Sequence, residues 1–272
     1  MEPADDARRG GLADLVTTEC PEIRLSDLTL APATRAQLDQ ALREQRQRDL
    51  LGSRGFTPLR RLLLTGPDGT GKSLTASALA TELSLPLVTI RIDPLIGKYT
   101  GAPEPKLRVI FDALARARSV CLFDDLDAIG ARQMAGLQLD MVDGRRVLDT
   151  FLSFLDDIRS ESLIVAVADH PSLLDDALLR RFDAVIAYYL PDPAQALELL
   201  RRRLGAMNTS AVSWGEVRDH VKGLSPARLI RAADSAAKRA ILDGGDLLST
   251  SALITSLGEL RASHHVTGFG FS

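Results

Sequence analysis

Short apolar runs alternate with amphipathic helical patterns through the middle of the chain. Between two of these runs, Leu107, Ile110, Phe111 and Leu114 recur with the spacing of one helix face. Strands that alternate with helices are typical of a parallel sheet covered by helices. Residues 31–190 are therefore predicted to form an α/β domain. Its candidate strands are residues 62–65, 87–92, 120–123, 162–168 and 184–188.

After a Pro-Asp-Pro sequence at residues 191–193 the strand pattern ends, and only helical patterns follow. One helix is expected to begin after Ser225 as its N-cap, with Pro226 in the first turn. We expect residues 191–262 to form a small all-helical domain and residues 263–272 to form a flexible tail. The residues of that helix predicted to face inward are Ile230, Ala233, Ala237 and Ile241.

The beginning of the chain is polar and rich in glycine and alanine, without periodicity. Residues 1–30 are therefore predicted to be a polar tail, loose up to about residue 22. A polar helix is predicted to run from Pro32 to about Leu50. The residues expected on its apolar face are Leu38, Ala41 and Leu42.

A phosphate-binding sequence follows the first candidate strand. It fits the pattern G-x-x-x-x-G-K-[ST], in which glycines let backbone N–H groups curl around phosphate oxygens at a helix N-terminus. Lys72 can reach the β- and γ-phosphates, and the Ser73 hydroxyl can bind Mg²⁺. The alternative is a glycine-rich turn without a ligand. The residues expected to contact a nucleotide are Gly66, Pro67, Asp68, Gly69, Thr70, Gly71, Lys72, Ser73 and Leu74.

The third candidate strand ends in two carboxylates, Asp124 and Asp125. Behind a phosphate-binding loop, the first acid of such a pair holds Mg²⁺, usually through water, and the second polarises the attacking water. The alternative is a strand that ends in a solvated acidic turn. We therefore predict Ser73 and Asp124 as metal ligands and Asp125 as a catalytic residue.

Together these motifs resemble those of the AAA+ ATPases, and within them those of the AAA branch proper, over residues 23–243. Residues 124–127 resemble the family's Asp-Glu-hydrophobic-Asp motif, and residues 167–171 resemble its sensor strand. Residues 174–183 resemble the second region of homology. The resemblance, to a small single-ring member with a short N-terminus, implies ATP and Mg²⁺ as cofactors. It also implies a P-loop NTPase sheet, a helical lid domain and a hexameric ring.

The resemblance also assigns roles to single residues. Arg180 and Arg181 match the arginines that reach the γ-phosphate of a neighbouring subunit, although such a pair is also found as a solvated helix cap. Lys98 and Tyr99 lie where the family places its first pore loop, in which an aromatic residue grips a polypeptide. A tyrosine beside a glycine is otherwise typical of an ordinary turn. Arg228 falls where some branches have a sensor arginine, and an exposed bystander is the alternative.

Three aspartates depart from the family's pattern. Asp125 replaces a glutamate whose side chain is one methylene longer. Asp169 replaces the sensor asparagine, so that it loses the amide donor and adds negative charge where the γ-phosphate is expected. Asp68 replaces a second proline. We expect nucleotide binding to survive these changes and hydrolysis to be slow or conditional, with Asp125 and Asp169 counted among the catalytic residues.

Composition and charge narrow the function classes further. A net charge of −3 disfavours a dedicated nucleic-acid binder, and two cysteines are too few for a disulfide framework or a zinc site. Cys121 lies in an apolar run and is predicted to be a core residue. The sequence shows neither a signal peptide nor an apolar span long enough to cross a bilayer, so a cytoplasmic protein is expected.

The leading functional hypothesis is an ATP-dependent protein remodeller, or unfoldase, that acts as a ring and hydrolyses ATP at subunit interfaces. The roughly 30 residues before the first helix are too few for a recognition domain, so a separate protein client or partner, such as a protease or an adaptor, is expected. The alternative is a nucleotide-gated scaffold or switch that binds ATP with little hydrolysis. A DNA-directed AAA+ protein is disfavoured by the acidic balance and by the absence of an appended helix-turn-helix pattern.

Overall fold

The computed structural model describes residues 16–91, 103–114, 117–128, 151–155 and 161–266 of the chain. Within these residues six strands form one sheet, in the order β1-β3-β4-β5-β2-β6. The predicted α/β fold class, with a parallel sheet flanked by helices and a helical C-terminal part, is confirmed. The strands are β1 (Val16–Glu19), β2 (Arg61–Thr65), β3 (Leu87–Arg91), β4 (Val120–Asp124), β5 (Leu163–Ala168) and β6 (Ala184–Ala187).

Helices precede, connect and follow the strands. A further helical segment occupies residues 151–155, and short 3-10 turns lie at Leu25–Asp27 and Pro171–Leu173. None of the helices in the described part of the chain is long and apolar enough to cross a membrane. The labelled helices are α1 (Pro32–Arg46), α2 (Arg48–Ser53), α3 (Lys72–Leu83), α4 (Pro103–Leu114), α5 (Asp176–Leu179), α6 (Pro193–Arg203), α7 (Trp214–His220), α8 (Pro226–Leu242) and α9 (Thr250–Val266).

The parallel strands of the sheet all end at the same edge. Leu64 of β2 lies opposite Val167 of β5, and Phe123 of β4 lies opposite Ala166 of β5. Strands β4, β5 and β2 therefore deliver the residues that follow them to neighbouring positions. Ligands of open α/β sheets bind outside the carboxyl ends of the strands, so this edge is where a site is expected.

Strand β1 lies within the segment that we expected to be a loose tail, so that expectation is wrong for Val16–Glu19. The strand pairs antiparallel with β3, with Val16 opposite Ile90. Only Val16 is partly buried, so the strand lacks the apolar alternation by which sequence analysis detects strands. Its place is determined by backbone pairing along the sheet edge. Leu25, also in the expected tail, is fully buried.

The predicted polar helix near the beginning of the chain is present, but it is divided. Helix α1 ends at Arg46, and α2 begins at Arg48. The predicted apolar face of α1 is buried, because Leu38, Ala41 and Leu42 are at most 4% exposed. Burial of these side chains stabilises the packing of α1 in the first part of the chain, on α3 and β6.

Aromatic rings fill part of the core of the sheet domain. Phe111 of α4 stacks on Phe123 of β4 with 5.6 Å between ring centroids, and Phe123 meets Phe151 edge-on at 5.0 Å. Such pairs stabilise a core beyond the area they bury.

Cys121 is fully buried, and burial raises the pKa of its thiol to about 11. The prediction that Cys121 is a core residue is confirmed.

Residue contacts divide the chain into two compact units. The core of the second unit is formed by apolar side chains of α6 to α9. Helix α6 begins with a capping box, in which the Asp192 side chain accepts from the backbone of Gln195. The domain boundaries assigned from the sequence remain predictions. The first unit comprises Met1–Leu28, Pro32–Gly66 and Lys72–Tyr188, and the second comprises Thr29–Ala31, Pro67–Gly71 and Tyr189–Ser272.

Helix α8 follows the N-cap Ser225 as predicted, but its buried face is rotated relative to the predicted one. Ile241 is 59% exposed, so its predicted inward position is wrong. Ile230 and Ala237 are only partly buried. Helix α9 continues to Val266, so the expected flexible tail begins inside a helix. The buried residues of α8 are Leu229, Ala232, Ala233 and Ala236.

Candidate nucleotide-binding site

Gly66 follows β2 directly and opens the phosphate-binding loop. Its φ of 136° is a conformation that side chains rarely adopt, and a Cβ there would lie 2.2 Å from the carbonyl oxygen of Tyr188. The N–H of Gly66 donates to the carbonyl oxygen of Ala168, at the end of β5, over 3.2 Å. Both the backbone angle and the close approach therefore require glycine at this position.

The middle of the loop contacts the beginning of α8, and both belong to the second unit. Gly69 and Gly71 have φ values of 73° and 97°, in the region that glycine favours. A Cβ on Gly69 would lie 2.6 Å from the Ser225 hydroxyl oxygen, and the N–H of Ala227 donates to the Gly69 carbonyl oxygen over 3.1 Å. The next residue of α8 is Arg228, so this predicted sensor arginine follows directly on a residue that holds the loop.

The other predicted loop residues differ in exposure. The Thr70 hydroxyl donates to the carbonyl oxygen of Pro67 over 2.8 Å, which closes a turn inside the loop. Thr70 is buried, whereas Pro67, Asp68 and Leu74 are exposed.

Lys72 is the first residue of α3, and its side chain is only 4% exposed. Its Nζ donates to the carbonyl oxygen of Gly66 over 2.7 Å and forms an ion pair with Oδ1 of Asp169, also at 2.7 Å. Asp169 follows the last residue of β5. The structure therefore brings together two residues that the sequence predicted for the site, and it joins them by opposite charges.

Ser73 and Asp124 form the second polar contact of the site. The Ser73 hydroxyl donates to Oδ1 of Asp124, the last residue of β4, over 3.0 Å. A hydroxyl oxygen and a carboxylate at this distance are ligands of the type that Mg²⁺ prefers, and Mg²⁺ takes its other ligands from phosphates and water. The two predicted metal ligands are thus adjacent, and their chemistry fits the ion.

Asp125 is exposed and has a φ of 55°, in the left-handed region. Aspartate enters this region more readily than glutamate, because a short polar side chain can hydrogen-bond to the nearby backbone. The next residue returns to the sheet, since the N–H of Leu126 donates to the carbonyl oxygen of Val167 over 2.8 Å. The departure from glutamate at this position therefore agrees with the local backbone.

Arg180 and Arg181 follow α5, a short helix capped by Asp175, whose carboxylate accepts from the backbone of Ala177 over 2.8 Å. Arg180 is exposed. Arg181 is partly buried, and its Nη1 donates to the Ala177 carbonyl oxygen over 3.3 Å. The predicted pore-loop residues Lys98 and Tyr99 lie outside the described part of the chain.

Residues 62–190, from β2 to the segment after β6, match the family model described as "ATPase family associated with various cellular activities (AAA)". This chain contains an ATPase domain of the AAA family. The matched residues include the phosphate-binding loop, the two aspartates at the end of β4 and the arginine pair. The predicted resemblance is confirmed at the level of the family.

Proteins similar to this chain include bacterial and archaeal ATPases. An AAA family ATPase of Sinorhizobium fredii is 29% identical over 234 residues, which are 85% of this chain and 69% of that protein. A proteasome-activating nucleotidase of Methanococcus vannielii is 30% identical over 202 residues, 72% of this chain and 49% of that protein. The ATP-dependent zinc metalloprotease FtsH of Helicobacter felis is 29% identical, over 84% of this chain and 37% of that protein.

Among solved structures, the crystal structure of the FIGL-1 AAA domain matches with a TM-score of 0.73 at 20% identity. The match covers 99% of both chains. A likeness at this identity shows the fold, and the fold agrees with the six-stranded sheet and the helical C-terminal part. The chain spans half or less of the nucleotidase and the metalloprotease named above.

Two carboxylates that brace the backbone of this AAA domain were not predicted from the sequence, one beside the site and one at the opposite edge of the sheet. Oδ2 of Asp127 accepts from the N–H of His170 over 2.8 Å, and Asp127 is buried. Asp183 accepts from the N–H groups of Arg60 and Arg61 over 2.8 and 2.9 Å, just before β2 and at its first residue. The only sequence signal for either brace was an acid at a strand end, and such acids are commonly solvated.

Proposed function

We propose that this protein is an ATP-driven protein remodeller that works as an oligomeric, hexameric ring and hydrolyses ATP at its subunit interfaces. The observation that carries the proposal is the convergence of Lys72, Ser73 and Asp124 at the carboxyl edge of the sheet, with Ser73 and Asp124 3.0 Å apart. A protein client is supported by the names of two relatives, a proteasome-activating nucleotidase and a metalloprotease. A partner protease or adaptor would supply the choice of client.

Each proposed role follows from the chemistry of one side chain. The Lys72 ammonium would neutralise the β- and γ-phosphates, and the Ser73 hydroxyl and Asp124 would hold Mg²⁺. When bound, Mg²⁺ supplies positive charge to the phosphate oxygens. Asp125 would orient the attacking water and accept its proton as the water oxygen bonds to the γ-phosphorus and the bond to ADP breaks.

The remaining roles depend on a neighbouring subunit or on the lid. Arg180 is exposed, as a residue that reaches a second subunit must be, and it would stabilise the charge of the transferred phosphoryl group together with Arg181. Arg228 would act beside the loop that Ala227 contacts. Lys98 and Tyr99 would grip the client in the pore. The protein would work in the cytoplasm, which agrees with two free cysteines.

A second candidate function is a nucleotide-gated scaffold or switch that binds ATP, turns it over little and works with a separately encoded partner. The ion pair between Lys72 and Asp169 favours it, because a carboxylate already occupies the lysine that the γ-phosphate needs. The short side chain of Asp125 favours it too, since a water-positioning group that is misplaced by about 1 Å can cost roughly 100-fold in rate.

Steady-state ATP hydrolysis in the presence of Mg²⁺ separates the two functions. Lys72→Ala is the blank, and Lys222→Ala is its matched control because Lys222 is an exposed lysine of the C-terminal helical part. Turnover that Lys72→Ala abolishes and Lys222→Ala retains supports the remodeller. Tight ATP binding without turnover supports the switch.

A mixing experiment tests the shared interface. Lys72→Ala and Arg180→Ala are each expected to be inactive alone, because one lacks the phosphate-binding lysine and the other the arginine offered to the neighbour. In a mixed ring, some interfaces pair an intact Lys72 with an intact Arg180, so activity should partly return. If mixing restores nothing while both variants still assemble with wild-type subunits, the arginine does not act on a neighbour.

A further inference from the structure

The ion pair between Lys72 and Asp169 uses part of the hydrogen-bonding capacity of the lysine. An ammonium group has three N–H donors. The carbonyl oxygen of Gly66 and Oδ1 of Asp169 each lie 2.7 Å from Nζ and take two of them. While both contacts persist, at most one N–H is left for all the phosphate oxygens of a nucleotide.

Asp169 is held in this position by the backbone on either side of it. The carbonyl oxygen of Ala168 accepts from Gly66 over 3.2 Å, and the N–H of His170 donates to the buried Asp127 over 2.8 Å. The side chain of Asp169 is 31% exposed, and that of Lys72 is 4% exposed. The backbone of Asp169 is therefore fixed, and its carboxylate lies beside a largely desolvated ammonium, where charges are weakly screened.

We propose that Asp169 is a specificity-determining residue that makes this site favour ADP over ATP until the ion pair is opened. The inference rests on the proposed nucleotide site. ADP places only its β-phosphate within reach of Lys72 and brings no γ-phosphate toward the Asp169 carboxylate, so the ion pair persists. ATP adds a γ-phosphate that competes with the Asp169 carboxylate for the same ammonium, so Asp169 must withdraw.

Electrostatic repulsion acts in the same direction. A γ-phosphate oxygen bound to Nζ would share that atom with the Asp169 carboxylate, so two negative groups would lie within a few ångströms of each other. ADP lacks the group that would be repelled. Neutral residues at position 169 should therefore improve ATP binding more than ADP binding, and the difference is the signature of the proposal.

The test compares dissociation constants of the full chain for two probes in the presence of Mg²⁺. One probe is ADP, and the other is a non-hydrolysable ATP analogue with an imido group between the β- and γ-phosphates. The variants are Asp169→Asn, which keeps the shape, and Asp169→Ala, which adds no donor. Asp39→Asn is the matched control, because it removes one negative charge and one ion pair, with Arg35, on the outer face of α1.

We expect both Asp169 variants to shift the ratio of the two dissociation constants toward the ATP analogue by about tenfold or more. Asp39→Asn should leave the ratio unchanged. Equal gains for both probes, or no gain, overturn the proposal. A gain with Asp169→Asn but not with Asp169→Ala also overturns it, because the added amide donor would then be the cause.

Failure of the proposed function gives a different result. If neither probe binds the wild type or any variant, while circular dichroism shows folded protein, the nucleotide site itself is wrong. If ADP binds and Lys72→Ala abolishes the binding, the site stands, and only the role of Asp169 is decided by the ratio.

Discussion

Strands β4 and β5 are neighbours in the sheet. An aspartate is the last residue of β4 and another follows the last residue of β5, yet the two carboxylates have different partners. Asp124 accepts from the hydroxyl of Ser73, whereas Asp169 is paired with the ammonium of Lys72. A carboxylate beside a hydroxyl remains able to bind an external cation, whereas a carboxylate paired with a lysine neutralises a cation of the protein itself. The same residue type therefore supports metal binding at one strand end and competes with phosphate at the next.

The largest expected effect on ATP turnover is at Asp124, the last residue of β4. Asp124→Asn removes the charge that would hold Mg²⁺ and should lower ATP turnover by about 1,000-fold. Asp169→Asn, at the neighbouring strand end, should instead maintain or raise turnover. Steady-state hydrolysis at several Mg²⁺ concentrations measures both, and a similar loss in the two variants would contradict the assigned difference.

The next largest effect is expected on stability at Gly66, which follows β2 beside the end of β5. Gly66→Ala places a Cβ 2.2 Å from the Tyr188 carbonyl oxygen at a φ of 136°, so we expect a loss of about 3 kcal/mol in the free energy of unfolding. Gly52→Ala, in helix α2 with open space around it, is the control and should gain about 0.5–1 kcal/mol. Urea unfolding measures both changes, and equal stabilities would show that the loop can relax.

Asp125→Glu tests the residue that directly follows β4. The longer side chain should raise turnover by about tenfold, because the carboxylate then reaches the attacking water. It should also cost about 1 kcal/mol of stability, because glutamate fits the φ of 55° less well than aspartate does. Hydrolysis assays and urea unfolding on the same preparation test the two expectations, and a faster enzyme with no loss of stability would contradict the second.

The smallest expected effect concerns the hydrogen bond from the N–H of His170 to Asp127, which joins the segments that follow β5 and β4. Asp127→Asn weakens the acceptor for the N–H of His170 and should cost about 1 kcal/mol in the free energy of unfolding. Because that brace anchors one side of Asp169, the variant should also reduce the preference for ADP slightly. Asp39→Asn, which removes a surface ion pair, should change stability by no more than about 0.5 kcal/mol.

The sheet and the phosphate-binding loop could be predicted because their signals are local. Glycines, Lys72 and Ser73 lie within one short sequence, and the strands are apolar runs. The ends of parallel strands meet at one edge by geometry, so the proximity of Asp124 and Ser73 followed once the strands were assigned. Recognising these parts in the sequence therefore needs no knowledge of long-range contacts.

The unpredicted parts depend on contacts between distant segments. Strand β1 has no apolar alternation and exists because β3 offers it a free edge. The buried face of α8 is set by its packing partners, and Ile241, in the last turn of the helix, is exposed. The ion pair of Lys72 with Asp169 requires the register of β2 against β5, which no single segment encodes.

The antiparallel direction of β1 decides where the chain enters the sheet. Val16 lies opposite Ile90, near the carboxyl end of β3, and Glu19 lies opposite Leu87 at its beginning. With neighbouring strands about 4.8 Å apart, β1 enters about 10 Å from β4, on the edge that carries Asp124. An affinity tag or fused domain joined directly to residue 16 would thus start next to the edge that carries Asp124, so binding assays on such a variant need the tag cleaved.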